Sequence, residues 1–247
     1  MNQPEERRAQ AQRTEEGLAE GTVEAVSRGA REAFAHGDEL VREHLVELRI
    51  LSNLACAEGC SHCCHMEVSA SFPEVAQLAT FIEQTFSAAS RDALTVRLDA
   101  QCDALGSLTR RERLTRSTTC AVLVDGRCSA YEARPMACRG WNSSDVTPCI
   151  AAFETPGAVP SIPVHRLLRD ASMSLASGIQ DGARASGFDD ALLDLPHALR
   201  AMLRDGVPGA DSLTDSWLAG KMLPVVMKAQ PAPERVQGSD GLWRPVA

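Results

Sequence analysis

Four cysteines crowd into nine positions, Cys56-Ala-Glu-Gly-Cys60-Ser-His-Cys63-Cys64, and four more, Cys120, Cys128, Cys138 and Cys149, follow within thirty. This constrains the chain more than any other feature, because the fold must gather those side chains or waste them. Two or three residues between cysteines let successive sulfurs converge on one centre, and Gly59 permits the tight turn that convergence needs. The second group is more widely spaced and needs a folded scaffold. Soft thiolates bind zinc and iron–sulfur clusters well. The eight cysteines are therefore the candidate metal ligands.

The compartment decides between metal and disulfide. The N-terminus, MNQPEERRAQAQRTEE, is polar and lacks an apolar signal core. No run approaches the length of uninterrupted apolar sequence that spans a bilayer. The expected location is the cytoplasm, where thiols stay reduced and clustered cysteines mean metal or redox chemistry. The formal charge of -8 offers no basic field to nucleic acid or an anionic membrane, so neither is an expected partner.

Cys63 and Cys64 are neighbours. In an extended segment their side chains point to opposite sides, and binding one ion together requires a special turn. Eight thiolates suffice for two sites of four, for one bridged centre, or for a division between ligands and redox-active thiols. Cys102 stands apart on the apolar face of an expected helix and reads as a small core residue. His62 and His65 flank the first group and can replace a cysteine, although hydrogen bonding beside the sulfurs is the commoner role. His36, His44, His165 and His197 fall on expected helices and read as structural.

Aromatic residues make up only 4% of the chain, and Ala, Leu, Glu and Arg are plentiful, a balance that favours helices. The expected class is mainly α, a helical domain around a loop-rich cysteine core with a short strand or hairpin. Residues 1–16 are expected to be disordered and 17–229 to form a single domain. Within it lie the cysteine core, 53–152, and a helical extension, 160–229; 230–247 reads as a mobile tail. Helical spacing runs from about Glu20 to Leu54, with a break at Gly37. A helix near Phe72 opens with a capping box, Ser71 and Glu74. Leu94, Leu98, Cys102 and Leu105 mark the next helix. Ala121–Val124 followed by Asp125-Gly126 reads as a strand and turn. Further helices are expected over Val164–Ile179, over Leu192–Leu203 around a proline, and over Leu213–Met227.

The cysteine groups together resemble the YkgJ-type cysteine-cluster family, whose domain is described as zinc- or iron-chelating. The resemblance rests on the CxxCxxCC-like first group and on Cys128-Ser-Ala-Tyr131-Glu-Ala-Arg134-Pro135-Met-Ala-Cys138-Arg139-Gly-Trp141, with Cys120 before it and Cys149 after. It covers roughly residues 53–152, and the first loop has three residues between Cys56 and Cys60 where some members have two. It implies zinc or iron as cofactor, an iron–sulfur cluster being one form of the latter. Arg134 and Arg139 would offset the charge of -2 that four thiolates leave on one divalent zinc. The ordinary alternative pairs Arg134 with Glu132. Pro135 fixes the backbone locally. Tyr131 and Trp141 are expected to shield the centre or pack the core.

Two functions compete. One is a metal-binding protein with a structural or metal-handling centre. The other is an iron or iron–sulfur enzyme, similar in style to flagellin lysine methylases, with one cysteine left out of the ligand set. The first group also has the C-x3-C-x2-C spacing of radical S-adenosylmethionine enzymes. His62 where those carry an aromatic residue, the scarcity of strand signals and the second cysteine group argue against them. No Walker loop, dinucleotide fingerprint, nucleophile elbow or His-Glu-x-x-His motif is present. Asp189-Asp190 reads as helix-start charge after Gly187.

Overall fold

The computed structural model describes residues 3–47, 54–57, 59–106, 108–109, 112–113, 116–156, 161–205, 213–224, 228–229, 235–237 and 243–245. The fold is mainly α. Two long helices open it, α1 (Gln3–Leu18) and α2 (Val23–Glu47). After the first cysteine group come β1 (Ser69–Ala70), α3 (Phe72–Thr85) and α4 (Ala88–Gly106). The second group occupies β2 (Leu123–Val124), β3 (Arg127–Cys128), α5 (Met136–Gly140) and α6 (Thr147–Glu154). The chain continues through α7 (Arg166–Ala185), β4 (Leu193–Asp194), α8 (Leu195–Asp205) and α9 (Leu213–Leu218). It ends with β5 (Arg235–Gln237) and β6 (Trp243–Pro245). The described strands pair antiparallel as β1 with β4, β2 with β3, and β5 with β6.

The expected capping box opens α3. Ser71 N–H and Oγ–H donate to Glu74 Oε2 at 2.8 and 2.7 Å. The other oxygen, Oε1, accepts from Met136 N at 2.9 Å. One buried carboxylate thus ties the start of α3 to the start of α5, the helix that carries Cys138. Burial pushes the Glu74 carboxyl up, and the Ser71 and Met136 donors pull against it. The main core gathers Val75, Leu78, Ala79 and Ile82 of α3, Leu94 and Leu98 of α4, and Leu199 and Met202 of α8. Trp217 of α9 stacks between Phe72 and Phe188, at centroid distances of 4.5 and 4.6 Å. A second cluster joins Ala33, Phe34 and Leu40 of α2 to Met136 of α5 and to Leu175 and Ile179 of α7.

Several expectations need correction. Residues expected to be frayed, 1–16, largely form α1, which lies along α7. Two glycines let the backbones meet: a Cβ at Gly178 would stand 2.6 Å from Arg7 O, and one at Gly182 2.5 Å from Ala11 O. Arg7 Nε and Nη2 hold Asp181 at 2.5 and 2.9 Å, closing the contact at its rim. Gly37 does not break α2; a side chain there would press within 3.0 Å of Met136 Cε. Residues 48–53 of the stretch expected to continue this helix lie outside the described residues, and Leu54 is not helical. The helix expected from Val164 begins at Arg166, and the one expected from Leu192 begins at Leu195, because Leu193 and Asp194 pair with β1 as a strand. Of the last expected helix only Leu213–Leu218 forms; 219–224 are turn and coil, and 225–227 lie outside the described residues. Asp189 is not helix-start charge. It is buried, and its carboxylate accepts from Leu223 N at 2.8 Å, Ala191 N at 3.1 Å and Lys228 Nζ at 2.9 Å. Its carbonyl accepts from Trp217 Nε1 at 2.8 Å, so one residue anchors the C-terminal segment. No described helix is long and apolar enough to cross a membrane.

Candidate metal centre

Each cysteine is placed by a local device. Gly59, at φ +87°, turns the first loop, and Cys60 N closes that turn on Ala57 O at 3.0 Å. His62–His65 is a single 3₁₀ turn in which Cys64 N bonds Ser61 O at 2.9 Å. This is the special turn the adjacent cysteines require. Successive side chains on a 3₁₀ turn are about 120° apart, not opposed as in a strand, and the Cys63 and Cys64 thiols share a hydrogen bond.

Backbone hydrogen bonds bring the second group to the first. Cys120 N donates to Cys64 O at 2.9 Å, and Leu123 N to Cys120 O at 2.9 Å. Leu123 then pairs with Cys128 across the expected hairpin, whose turn residues Asp125 and Gly126 have φ of 50° and 75°. Such left-handed pairs match the twist of a tight hairpin. Cys138 sits in the first turn of α5, its N–H bonded to Pro135 O at 2.9 Å. On the other side, Ala55 N donates to Ser143 O at 2.9 Å and Ser143 N to Cys56 Sγ at 3.3 Å. The Cys149 thiol donates to Asp145 O at 3.9 Å, the same carbonyl that accepts from Ser143 Oγ–H at 2.6 Å.

The thiols sense one another in two overlapping sets. Cys120 and Cys128 are electrostatic neighbours of each other and of both Cys64 and Cys138, and Cys56, Cys60 and Cys149 neighbour one another; Cys63 is within reach of both sets. Burial first, and neighbouring sulfurs after it, push up the thiols of Cys56, Cys120, Cys128, Cys138 and Cys149. Cys64 is raised chiefly by its bond to Cys63. Cys63 is lowered to about 7 by that same bond, with help from the Arg134 cation. Cys102 is buried in α4 and raised by burial to about 11, and no other cysteine is among its charged neighbours.

The two arginines part company. Arg134 faces the sulfurs and lowers Cys63, Cys128 and Cys138. It stacks 3.6 Å over the Tyr131 ring and donates to Tyr131 O at 2.9 Å. Arg139 points away: it bonds Asp38 of α2 and the carbonyls of Glu132 and Arg134, and covers the Phe34 ring at 4.7 Å. It fastens the loop to α2 rather than neutralising thiolates. Tyr131 is 62% exposed and packs neither core nor centre. Trp141 is half-buried, with Arg169 5.7 Å from its ring. His65 bonds Thr119 Oγ1 through Nδ1 at 3.2 Å and packs against Phe153 with the rings tilted by 55° and 4.5 Å between centroids. His36 pairs with Glu6 at 2.9 Å, and buried His197 with Asp194. Asn142 Oδ1 accepts from His165 N at 2.8 Å.

The described cysteines are all free thiols. Among the described residues no three Cys, His, Asp or Glu side chains stand in a ready coordination group. The chemistry of the donor set nonetheless fits a thiophilic cation. Burial first, and repulsion between neighbouring anions after it, keeps the protons on these thiols, and a soft cation that displaces the protons offsets both.

Sequence reasoning missed the buried cluster beside this region. Arg113 Nη1 lies 3.2 Å from Asp194 Oδ1 and 3.7 Å from Glu67 Oε1. No periodicity announces it, because its members come from three distant segments.

No curated protein and no solved structure matches the chain. The model of one family does match, CxxCxxCC, described as "Putative zinc- or iron-chelating domain", over residues 55–154. That span, 100 of the 247 residues, is similar to that family and contains Cys56, Cys60, Cys63, Cys64, Cys120, Cys128, Cys138 and Cys149.

Proposed function

We propose that this chain binds zinc or iron through Cys56, Cys60, Cys63, Cys64, Cys120, Cys128, Cys138 and Cys149, in a structural or metal-handling centre. One observation carries the reading: eight of the nine cysteines, drawn from separate segments, share one neighbourhood, while Cys102 lies elsewhere. The two overlapping sets support a centre of two parts joined at Cys63. Bound metal would supply positive charge and cross-link the loops. The protein's own residues do the rest. Gly59 and the 3₁₀ turn aim the first group. The β2–β3 hairpin and the Glu74–Met136 bond hold the second. Ser143, through the Asp145 carbonyl, links Cys56 to Cys149, and Arg134 offsets negative charge. Metal capture releases the thiol protons, so affinity should fall in acid.

The reading is tested with Cys60→Ser, Cys138→Ser and Cys102→Ser in protein purified without oxygen. The first two variants lose metal and melt earlier, whereas Cys102→Ser keeps its metal. Full metal content in both Cys60→Ser and Cys138→Ser would remove them from the centre.

A further inference from the structure

Every backbone polar group of Cys120 and Ala121 is bonded. Cys120 N–H donates to Cys64 O, and Cys120 O accepts from Leu123 N–H, both at 2.9 Å. Ala121 is bonded to α4 instead. Its N–H donates to Gln101 Oε1 at 3.0 Å, and its carbonyl accepts from Arg97 Nε–H at 2.8 Å. Arg97 and Gln101 are four residues apart on α4, a spacing that places side chains on one helix face. Together they grip Ala121 by both its donor and its acceptor. Ala121 is 4% exposed, so water is a poor substitute for either partner.

The helix behind this grip is firmly seated. Leu94 and Leu98 of α4 lie in the main core, and Asp99 pairs with Arg204 of α8 at 2.5 Å. α4 contributes no candidate ligand, yet it fixes the residue next to one. Without the grip, the start of the second cysteine group would be ordered only when metal binds, and the entropy lost in ordering it would weaken binding. Groups that hold a ligand in place from outside the ligand set commonly change metal affinity by about 10–100-fold.

We infer that Arg97 and Gln101 are positioning residues of the metal centre: by holding Ala121 against α4, they set Cys120 beside Cys64 before metal arrives. The inference rests on the metal-binding reading above and adds a helix without ligands to the parts that set affinity.

The test compares Gln101→Met and Arg97→Met, which keep an extended side chain and remove the bond, with Gln101→Glu, which keeps an acceptor oxygen. All are made in the full chain, purified without oxygen and loaded with zinc or with cobalt(II). Zinc release to the chelator 4-(2-pyridylazo)resorcinol and the thiolate-to-cobalt charge-transfer band are read beside the melting temperature. Both Met variants should release zinc about tenfold faster than the parent, with a weakened cobalt band, and Gln101→Glu should restore both readings. A lower melting temperature with the parent's release rate and cobalt band would show a merely structural contact and overturn the inference. Hydrogen exchange of the Ala121 amide in the metal-stripped parent decides if the Met variants do not fold. Slow exchange is expected, because Gln101 holds the amide with or without metal; exchange at the rate of a free peptide would overturn the inference. A parent chain that takes up neither zinc nor cobalt would overturn the metal-binding reading itself, and a metal-loaded parent with unaffected variants would overturn the positioning role alone.

Discussion

Replacing Glu74 by Gln keeps the size of the side chain and removes one of two acceptor oxygens. Oε2 serves Ser71 N–H and Oγ–H, and Oε1 serves Met136 N–H at 2.9 Å. An amide can face only one of these groups with oxygen. Facing Ser71, it sets its NH₂ against the Met136 N–H; facing Met136, it strands the Ser71 N–H. A hydrogen bond to a charged group contributes about 1.5–3 kcal/mol, and a stranded buried donor costs about 1–3 kcal/mol. Burying the carboxyl is itself unfavourable, as its raised titration indicates, and the substitution relieves that cost. A net loss of about 2 kcal/mol is expected. For a chain of this size that lowers the melting temperature by about 4–8 °C. Because Met136 begins the helix that carries Cys138, the variant should also hold metal less tightly. Thermal unfolding followed by circular dichroism, with metal content measured before and after dialysis, reads both effects. A melting temperature within about 1 °C of the parent would refute the idea that this carboxylate joins α3 to the cysteine core.

Gly182→Ala drives a Cβ to 2.5 Å from Ala11 O and should release α1 to limited proteolysis, costing about 1–3 kcal/mol. Gly29→Ala in α2 meets nothing within 4 Å and should be neutral or stabilise by about 0.5–1 kcal/mol, so the pair separates crowding from helix propensity. For Asp189, burial raises the carboxyl, but the Lys228, Leu223 and Ala191 donors outweigh it and leave it below its ordinary value. Its stabilising contribution is therefore complete above the unfolded carboxylate value, about pH 4, and is lost as pH falls through the lower folded value. Asp189→Asn should flatten that acid limb in urea unfolding at graded pH; an unchanged limb would contradict the assignment. Arg134→Gln removes the cation facing Cys63, Cys128 and Cys138 and should weaken metal retention, whereas Arg139→Gln should mainly lower stability. Equal metal loss per degree of destabilisation in the two would contradict the division between them.

What the chain states locally was legible. The Ser71–Glu74 capping box, the buried stripe Leu94, Leu98, Cys102 and Leu105, and the Asp125-Gly126 turn each depend on residues a few positions apart. The isolation of Cys102 followed from the same helical period. The rest depends on distant partners. α1 buries Gln10, Thr14 and Leu18, a mostly polar face with no periodic apolar signal, and only the small residues of α7 make it a packing surface. Arg134 and Arg139 stand in one motif with the same charge, and only the path of α2 past Asp38 and Phe34 separates their roles. The second oxygen of Glu74 and the meeting of Arg113 with Asp194 likewise join segments that no local pattern links.

The central claim is that the eight clustered thiols hold metal. Its most direct test is zinc, iron and labile-sulfide analysis of the full chain purified without oxygen, with thiol titration of the same sample before and after chelation. The account predicts stoichiometric zinc or iron, with the clustered cysteines unreactive until the metal is removed. Metal-free protein whose eight clustered thiols all react at once would contradict it.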